Sequence, residues 1–582
     1  MTTFVYQRRA VYPNAALVAL LLTIIVSTST AQAELHPLFG WPKEMDGEVN
    51  LWWRTAAVLD LDANSDWELS FLTTEGALYI YQHDGANYPG SPLAPYQGDR
   101  RRAWERPSHP ATVAIGDVDG DNQPDLVYTT DIGYLHVVTE SGREPQQFPV
   151  DYGRARYAGI PVTLDLDGDS LVDIIFHSYS LDPDSADAEA VLHIYSSTGE
   201  PFAEWPIHYP RGSTSSPSVG DIDYDGQCEI VTSNAATEDE PAQILVWHQN
   251  GLQVDGFPAG NLESVGGAPT LADLDGDGRL EILVWAAERD HGNSGIFAWN
   301  HSGQLLNRFP LPTRAGHPDG SPLVADIGGN RLPEIIFGSF DPDQGAQIYA
   351  WNSNGEPLDS FPINTGAPSV VGTPVIADVS GDGVNDIVAA LSPAEGGTGW
   401  IGAWDDHARM VDGFPLELES GAFAGPPTVW DLNRDGRLDL IAVTTDRKVM
   451  VWETPGRVNW DWWPTYKGGF NRTGVRPEDE PYRAPPLPKT LLPQVISFTA
   501  YPNPFNSAVL IKLALPYAAN SLTMELLDPS GRMVSRLYQG AAGAGQMVVL
   551  IDAAALQIPA GTYLCRLRLN HTVGIVPIHY LR

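Results

Sequence analysis

The sequence predicts an all-β fold: an eight-bladed β-propeller, alternatively a seven-bladed one, followed by a small β-sandwich. Three observations predict it. A nine-residue acidic loop between short apolar strands recurs eight times at one spacing. Hairpin dipeptides and aromatic-proline pairs recur in phase with it. After Gly474 both signals stop and a different strand pattern takes over.

The acidic loops start at Asp60 (DLDANSDWE), Asp117 (DVDGDNQPD), Asp165 (DLDGDSLVD), Asp221 (DIDYDGQCE), Asp273 (DLDGDGRLE), Asp326 (DIGGNRLPE), Asp378 (DVSGDGVND) and Asp431 (DLNRDGRLD). Successive starts lie 48 to 57 residues apart. Self-similarity at that period marks a repeat architecture, and it takes precedence over any local reading. Downstream of the loops come apolar strands such as ILVW (244–247), IFAW (296–299) and IYAW (347–350). Hairpin dipeptides follow them, including Asp84-Gly85, Asn250-Gly251 and Asn354-Gly355. Such pairs supply the positive φ of two-residue turns. Each unit then carries an aromatic-proline pair, from Tyr88-Pro89 through Phe148-Pro149, Trp205-Pro206, Phe257-Pro258, Phe309-Pro310 and Phe361-Pro362 to Phe414-Pro415. Proline has no N–H to give a ladder, so the pair marks an outermost strand.

Each unit therefore reads as four antiparallel strands, a to d, with the acidic loop joining a to b and the glycine turn joining c to d. Four-stranded units of this length repeated radially make a propeller. Eight loops predict eight blades; seven plus one degenerate unit is the alternative count. Trp41-Pro42 and Trp463-Pro464 bracket the array. One of them is predicted to complete a blade begun at the other terminus.

The loops point to a hard cation. In DLDGDGRLE, Asp273, Asp275, Asp277 and Glu281 fill positions 1, 3, 5 and 9, and Gly276 and Gly278 permit the turn. Oxygen ligands at this spacing, without Cys or His, suit Ca²⁺. The last acid stands at position 9 and both flanks are strands, which separates these loops from EF-hands. The same four positions hold Asp117, Asp119, Asp121 and Asp125; Asp165, Asp167, Asp169 and Asp173; and Asp221, Asp223, Asp225 and Glu229. The first loop has Asp60, Asp62 and Glu68, with Asn64 at position 5 and Asp66 gained at position 7. Two loops keep a neutral oxygen at position 3: Asp378, Ser380, Asp382, Asp386 and Asp431, Asn433, Asp435, Asp439. The loop at Asp326 has Gly328 and Asn330 instead and is expected to bind weakly or not at all. Carboxylates so close together repel one another unless a cation sits among them. The loops hold 28 of the chain's 73 acidic residues, so much of a net charge of −39 is assigned to structural calcium.

That acidity argues against nucleic acid as a partner. Arg8 and Arg9, the apolar run Ala15 to Val26 and the Ala31-Gln32-Ala33 site read as a signal peptide over residues 1–33. The run is too short to span a bilayer, and no other segment is apolar enough, so no membrane insertion of the mature chain is expected. Cys228 and Cys565 are the only cysteines and make no disulfide framework.

These loops on their strand repeat, over 34–474, resemble the FG-GAP/VCBS propellers, including the integrin α-subunit head. The resemblance implies structural calcium on one face and ligand binding on the opposite one. Residues 475–493 are Pro- and charge-rich and read as a linker. From 494 to 582, Tyr501-Pro502-Asn503-Pro504-Phe505-Asn506, LLDPSGRMV (526–534) and PAGTYLCRLRL (559–569) resemble a type A sorting domain of the type IX secretion system. That family is a small Ig-like β-sandwich recognised by secretion machinery; a flagellar-hook-capping Ig-like domain is the runner-up. The resemblance implies export through the periplasm of a Gram-negative-type cell to the surface or medium.

No G-x-S-x-G, H-E-x-x-H, P-loop or dinucleotide fingerprint occurs. Arginine and aromatics do gather in the d–a loops of the early units, on the face away from the acidic loops. They are Trp53 and Arg54; Arg100, Arg101, Arg102, Trp104 and Arg106; and Arg154, Arg156 and Tyr157. Such a set suits carboxylated sugars or acidic peptides. The expected function is a binding or adhesion module that takes a protein or polysaccharide ligand. The alternatives are a polysaccharide lyase, with His109 or Tyr157 as base candidates, and a structural surface-layer component.

Overall fold

A computed structural model describes residues 35–476 and 497–581, apart from short segments of which 46–54, 94–111, 180–188, 314–319 and 502–507 are the longest. The signal peptide and most of the linker lie outside the described residues. Among the described residues every regular element is a β-strand, and no helix is long and apolar enough to cross a membrane.

Each acidic loop joins the two innermost strands of its own antiparallel sheet. In the second unit, Ala114–Gly116 pairs with Asp125–Thr130, that strand with Tyr134–Val138, and that with Val150–Asp151. Leu323–Ala325, Glu334–Gly338, Gln347–Asn352 and Ile363–Asn364 repeat the order, as do Val375–Ala377, Asp386–Leu391, Trp400–Trp404 and Leu416–Glu417. The fourth and fifth units depart from it. Ala259–Ala272 is one continuous strand that ends one sheet and begins the next, merging both into a seven-stranded sheet.

The last unit is completed from the other end of the chain. Thr428–Trp430, Asp439–Val443 and Lys448–Glu453 supply three strands, and Lys43–Glu44 supplies the fourth, with Lys43 opposite Val449. Trp41-Pro42 thus does what the sequence suggested for one of the bracketing pairs. Trp463-Pro464 does not form a blade strand; it begins a segment, to residue 476, that hydrogen-bonds to the innermost strands.

The sheets pack face to face. Leu59 and Ile80 of the first unit share a core with Ile115 and Leu126 of the second. Ala114 and Val127 meet Ile174 and Phe176 of the third. The later seams repeat this, and Leu432, Ile441 and Val451 of the last unit meet Val58, Leu69 and Phe71 of the first. Middle strands have a neighbour sheet on both faces, so they read as apolar runs rather than alternations. Glu281–Glu288 (EILVWAAE) is buried along its first six residues. Each Leu or Ile so buried contributes about 1.5–3 kcal/mol. Antiparallel sheets repeated radially, with the last packed on the first, form a β-propeller.

Seven of the aromatic-proline bonds, from Trp41-Pro42 to Phe414-Pro415, are cis; in the first unit the cis bond is Ser91-Pro92 rather than Tyr88-Pro89. Six of those seven prolines stand directly before a short outermost strand, as at Pro149 and Val150–Asp151. The seventh, Pro258, stands directly before Ala259–Ala272, the long strand shared by two units.

The C-terminal residues form two further antiparallel sheets, one of three strands and one of four. Leu522, Met524 and Leu526 alternate into the core from one strand, and Tyr563, Cys565 and Leu567 from its neighbour. Both cysteines are buried and neither is in a disulfide.

Candidate metal centres

Each site is built by its own backbone. The position 1 carboxylate accepts the N–H groups of positions 4 and 6: Asp273 takes Gly276 N at 2.7 Å and Gly278 N at 2.8 Å. The position 9 carboxylate accepts the N–H of position 2, as Glu281 does from Leu274 at 2.9 Å. The position 5 oxygen accepts the N–H of position 7, as Asp277 does from Arg279 at 2.8 Å. Asp117, Asp125 and Asp121 repeat the three bonds, as do Asp165, Asp173 and Asp169. Asp378, Asp386 and Asp382 do so as well. At position 1 both carboxylate oxygens take a backbone bond, whereas at positions 5 and 9 one oxygen of each side chain takes the bonds that fix the loop.

The bends this demands are left-handed. Position 4 has positive φ in every loop, held by Gly120, Gly168, Gly276 and Gly381, but also by Ala63, Tyr224, Arg434 and Gly329. Position 6 is left-handed at Gly226, Gly278, Gly383 and Gly436, and at Asn122, Ser170 and Arg331.

Ligand atoms converge. Asp60, Asp62 and Glu68 bring one oxygen each within 4.8 Å of the others, as do Asp117, Asp119 and Asp125, then Asp165, Asp167 and Asp173, and Asp221, Asp223 and Asp225. In the first loop Asn64 Oδ1 accepts Asp66 N at 2.6 Å, so Asn64 supports the turn, and Asp66 lies on the exposed side. Burial, with repulsion from the neighbouring aspartates, pushes Glu68, Glu229 and Glu281 up to about 8 against one opposing backbone bond each. Asp125, Asp173, Asp386 and Asp439 rise to about 7 chiefly for the same reason of burial. Oxygen-only donors, buried and mutually repelling, fit a hard divalent cation.

The loop at Asp326 keeps the scaffold without the charge. Asp326 still accepts Arg331 N at 2.7 Å and Glu334 accepts Ile327 N at 3.0 Å. Position 3 has no side chain, and the Asn330 amide nitrogen lies 3.1 Å from where a Gly328 Cβ would stand.

Contacts between loops were not legible in the repeat. Arg434, at position 4 of the last loop, lies over Trp67 of the first at 4.3 Å, and its Nη2 is 3.5 Å from Asp60 Oδ2. Leu280 N donates to Ile222 O at 3.2 Å and Arg279 Nε to Asp223 O at 3.3 Å. Asn385 Nδ2 donates to Asp326 O at 2.9 Å. Of the proposed ligand-binding set, Trp53, Arg54, Arg100, Arg101, Arg102, Trp104, Arg106, Arg154 and Arg156 lie outside the described residues; Tyr157 forms a short strand opposite Tyr179.

No family model matches the chain, and no curated protein matches it. Among solved structures it is similar to the biofilm matrix protein Bap1 of V. cholerae, at 12% identity over 77% of this chain and 97% of that one, TM-score 0.36. It is also similar to Saccharomyces cerevisiae Sqt1, at 11% identity, 73% and 100% coverage and TM-score 0.46. The Dos1 propeller matches at 11% identity, 72% and 95% coverage and TM-score 0.42.

Proposed function

We propose that this protein is an exported, calcium-loaded eight-bladed β-propeller that serves as an adhesion or ligand-binding module and not as an enzyme. Calcium holds one face of the ring rigid, and a protein or polysaccharide partner meets the other. The C-terminal unit is an Ig-like sorting domain that carries the chain through the periplasm to the cell surface or medium. The observation that supports this best is the recurrence of one pre-bent carboxylate cage, with the same backbone bonds at positions 1, 5 and 9 in loop after loop. A solvated acidic turn has no reason to bury its last carboxylate.

The test is metal content and thermal unfolding of the mature chain, in calcium and in chelator. Six or seven bound calcium ions and a large fall in melting temperature on chelation are expected. No bound metal and no shift would reduce the loops to ordinary turns. Glycan and peptide arrays then seek the partner, and incubation with uronate polymers should release no unsaturated products.

A further inference from the structure

The innermost strands of a propeller leave one edge of backbone facing the axis. Six amides on that edge stand two residues before the first aspartate of their loops, at one level of the ring. Each donates to a carbonyl of the segment that follows the last blade. Ile376 N bonds Trp463 O at 2.9 Å, Val429 N bonds Pro464 O at 2.8 Å and Ile115 N bonds Phe470 O at 2.9 Å. Thr163 N bonds Asn471 O at 3.0 Å, Val219 N bonds Thr473 O at 2.9 Å and Leu271 N bonds Gly474 O at 2.9 Å. Residues 463–476 therefore coil inside the ring and meet the second, third, fourth, fifth, seventh and eighth units through one set of bonds. Buried N–H groups must be paired, and these six are paired by this segment.

Two cations pin the coil. Lys467 Nζ donates to Pro217 O. Arg472 donates to Tyr466 O at 2.7 Å, Thr465 Oγ1 at 3.0 Å, Val113 O at 3.3 Å and Ala56 O at 3.4 Å. Ala56, Val113 and Pro217 each stand directly before an innermost strand, four residues before their loops. Arg472 is 0% exposed and Lys467 3%, and their hydrogen-bond partners among the described residues are all carbonyl or hydroxyl oxygens. Burying charge this deep is costly, and carbonyl dipoles from several blades at once offset it only when the ring is assembled around them.

We propose that residues 463–476 are an axial lock: the ring is completed by chain lying beyond its last blade, fixed by Lys467 and Arg472, and the axis is thereby closed to ligand. The seam strand Lys43–Glu44 joins only two units, whereas this segment ties the ring from within.

The test uses the full mature chain in saturating calcium. Amide exchange at Ile115, Thr163, Val219, Leu271, Ile376 and Val429 is followed in Arg472→Met and, as a milder change, Lys467→Met. At least tenfold faster exchange at these six, with Leu126 and Ile230 in the middle strands unchanged, is the expected result; unchanged exchange at the six overturns the proposal. A second arm places a protease site after Val458 or within residues 477–493. Cutting in the linker should leave the melting temperature unaltered. Cutting after Val458 should lower it, and a peptide of residues 462–476 should restore it. Equal melting after both cuts also overturns the lock.

Discussion

Position 9 carries a conflict that a bound cation would resolve. Its carboxylate is buried beside two or three others, yet one oxygen must accept the backbone N–H of position 2. Without metal, Glu68, Glu229 and Glu281 hold their protons up to about 8, against an ordinary value of 4.5. A group whose folded pKa is raised contributes stability at low pH and loses it as pH climbs to the folded value. Chelated protein should therefore lose stability between about pH 4.5 and about pH 8. Calcium needs the deprotonated form, so the melting temperatures in calcium and in chelator should diverge across that window. Melts at pH 5 and pH 8 check the sign; a gap that narrows with rising pH would contradict it. Backbone conformation gives a second prediction. Gly276 has φ +79° and open space around its missing Cβ, whereas a Cβ on Gly256 would stand 2.2 Å from Ser302 O. Gly276→Ala should cost about 1–2 kcal/mol from the left-handed bend alone, and Gly256→Ala more, as read by denaturant unfolding.

At the scale of elements, the aromatic-proline pair does more than mark an edge strand. Trp205 Nε1 donates to Gln249 O at 2.7 Å, Trp41 Nε1 to His83 O at 3.2 Å and Tyr88 Oη to Glu140 O at 2.9 Å. In each case the acceptor lies by the c–d turn of the next unit, so the pair rivets neighbours together. Trp205→Phe keeps the ring and removes the bond; it should cost about 1 kcal/mol. At the seam between the last and first units Arg434 takes a similar part through Trp67 and Asp60. Arg434→Met should destabilise chelated protein by about 1 kcal/mol and calcium-loaded protein less, because a calcium ion held there would also neutralise Asp60. Thermal melts of both variants with and without calcium decide this. The loops, turns and proline pairs were legible because each is set by local chemistry: carboxylates at alternate positions, glycine where φ is positive, proline where no N–H is needed. No local motif marks Lys467 and Arg472 in the sequence. Their burial follows from contacts hundreds of residues away, as between Arg472 and Ala56, which no local pattern encodes. The seven-stranded merger through Ala259–Ala272 was hidden likewise, since its midpoint Ser264-Val265-Gly266-Gly267 looks like a loop.

At the scale of the molecule, several acidic loops are tied to a neighbouring loop in pairs. The loop at Asp273 holds the one at Asp221 through Leu280 and Arg279. The loop at Asp165 meets the one at Asp117 through Val172 N and Asp117 O at 3.3 Å. The loop at Asp378 props the charge-poor one at Asp326 through Asn385. An ion that orders one loop therefore also positions a carbonyl of its neighbour, and any ligand that binds only the folded state adds stability by mass action, about 2.7 kcal/mol at a hundredfold excess over Kd. Coupling of this kind has a direction that can be read. Asp275→Ala with Asp277→Ala should abolish the ion at Asp273 and weaken binding at Asp221, its direct neighbour. It should leave the distant site at Asp378 unchanged, because the loop at Asp326 lies between them and carries too little charge to relay the effect. Calorimetric calcium titration of this variant, compared with one altered at Asp378 and Asp382, separates the two cases. Loss of one ion with no change elsewhere would mean that the loops fill independently, and that the bonds between them serve packing alone.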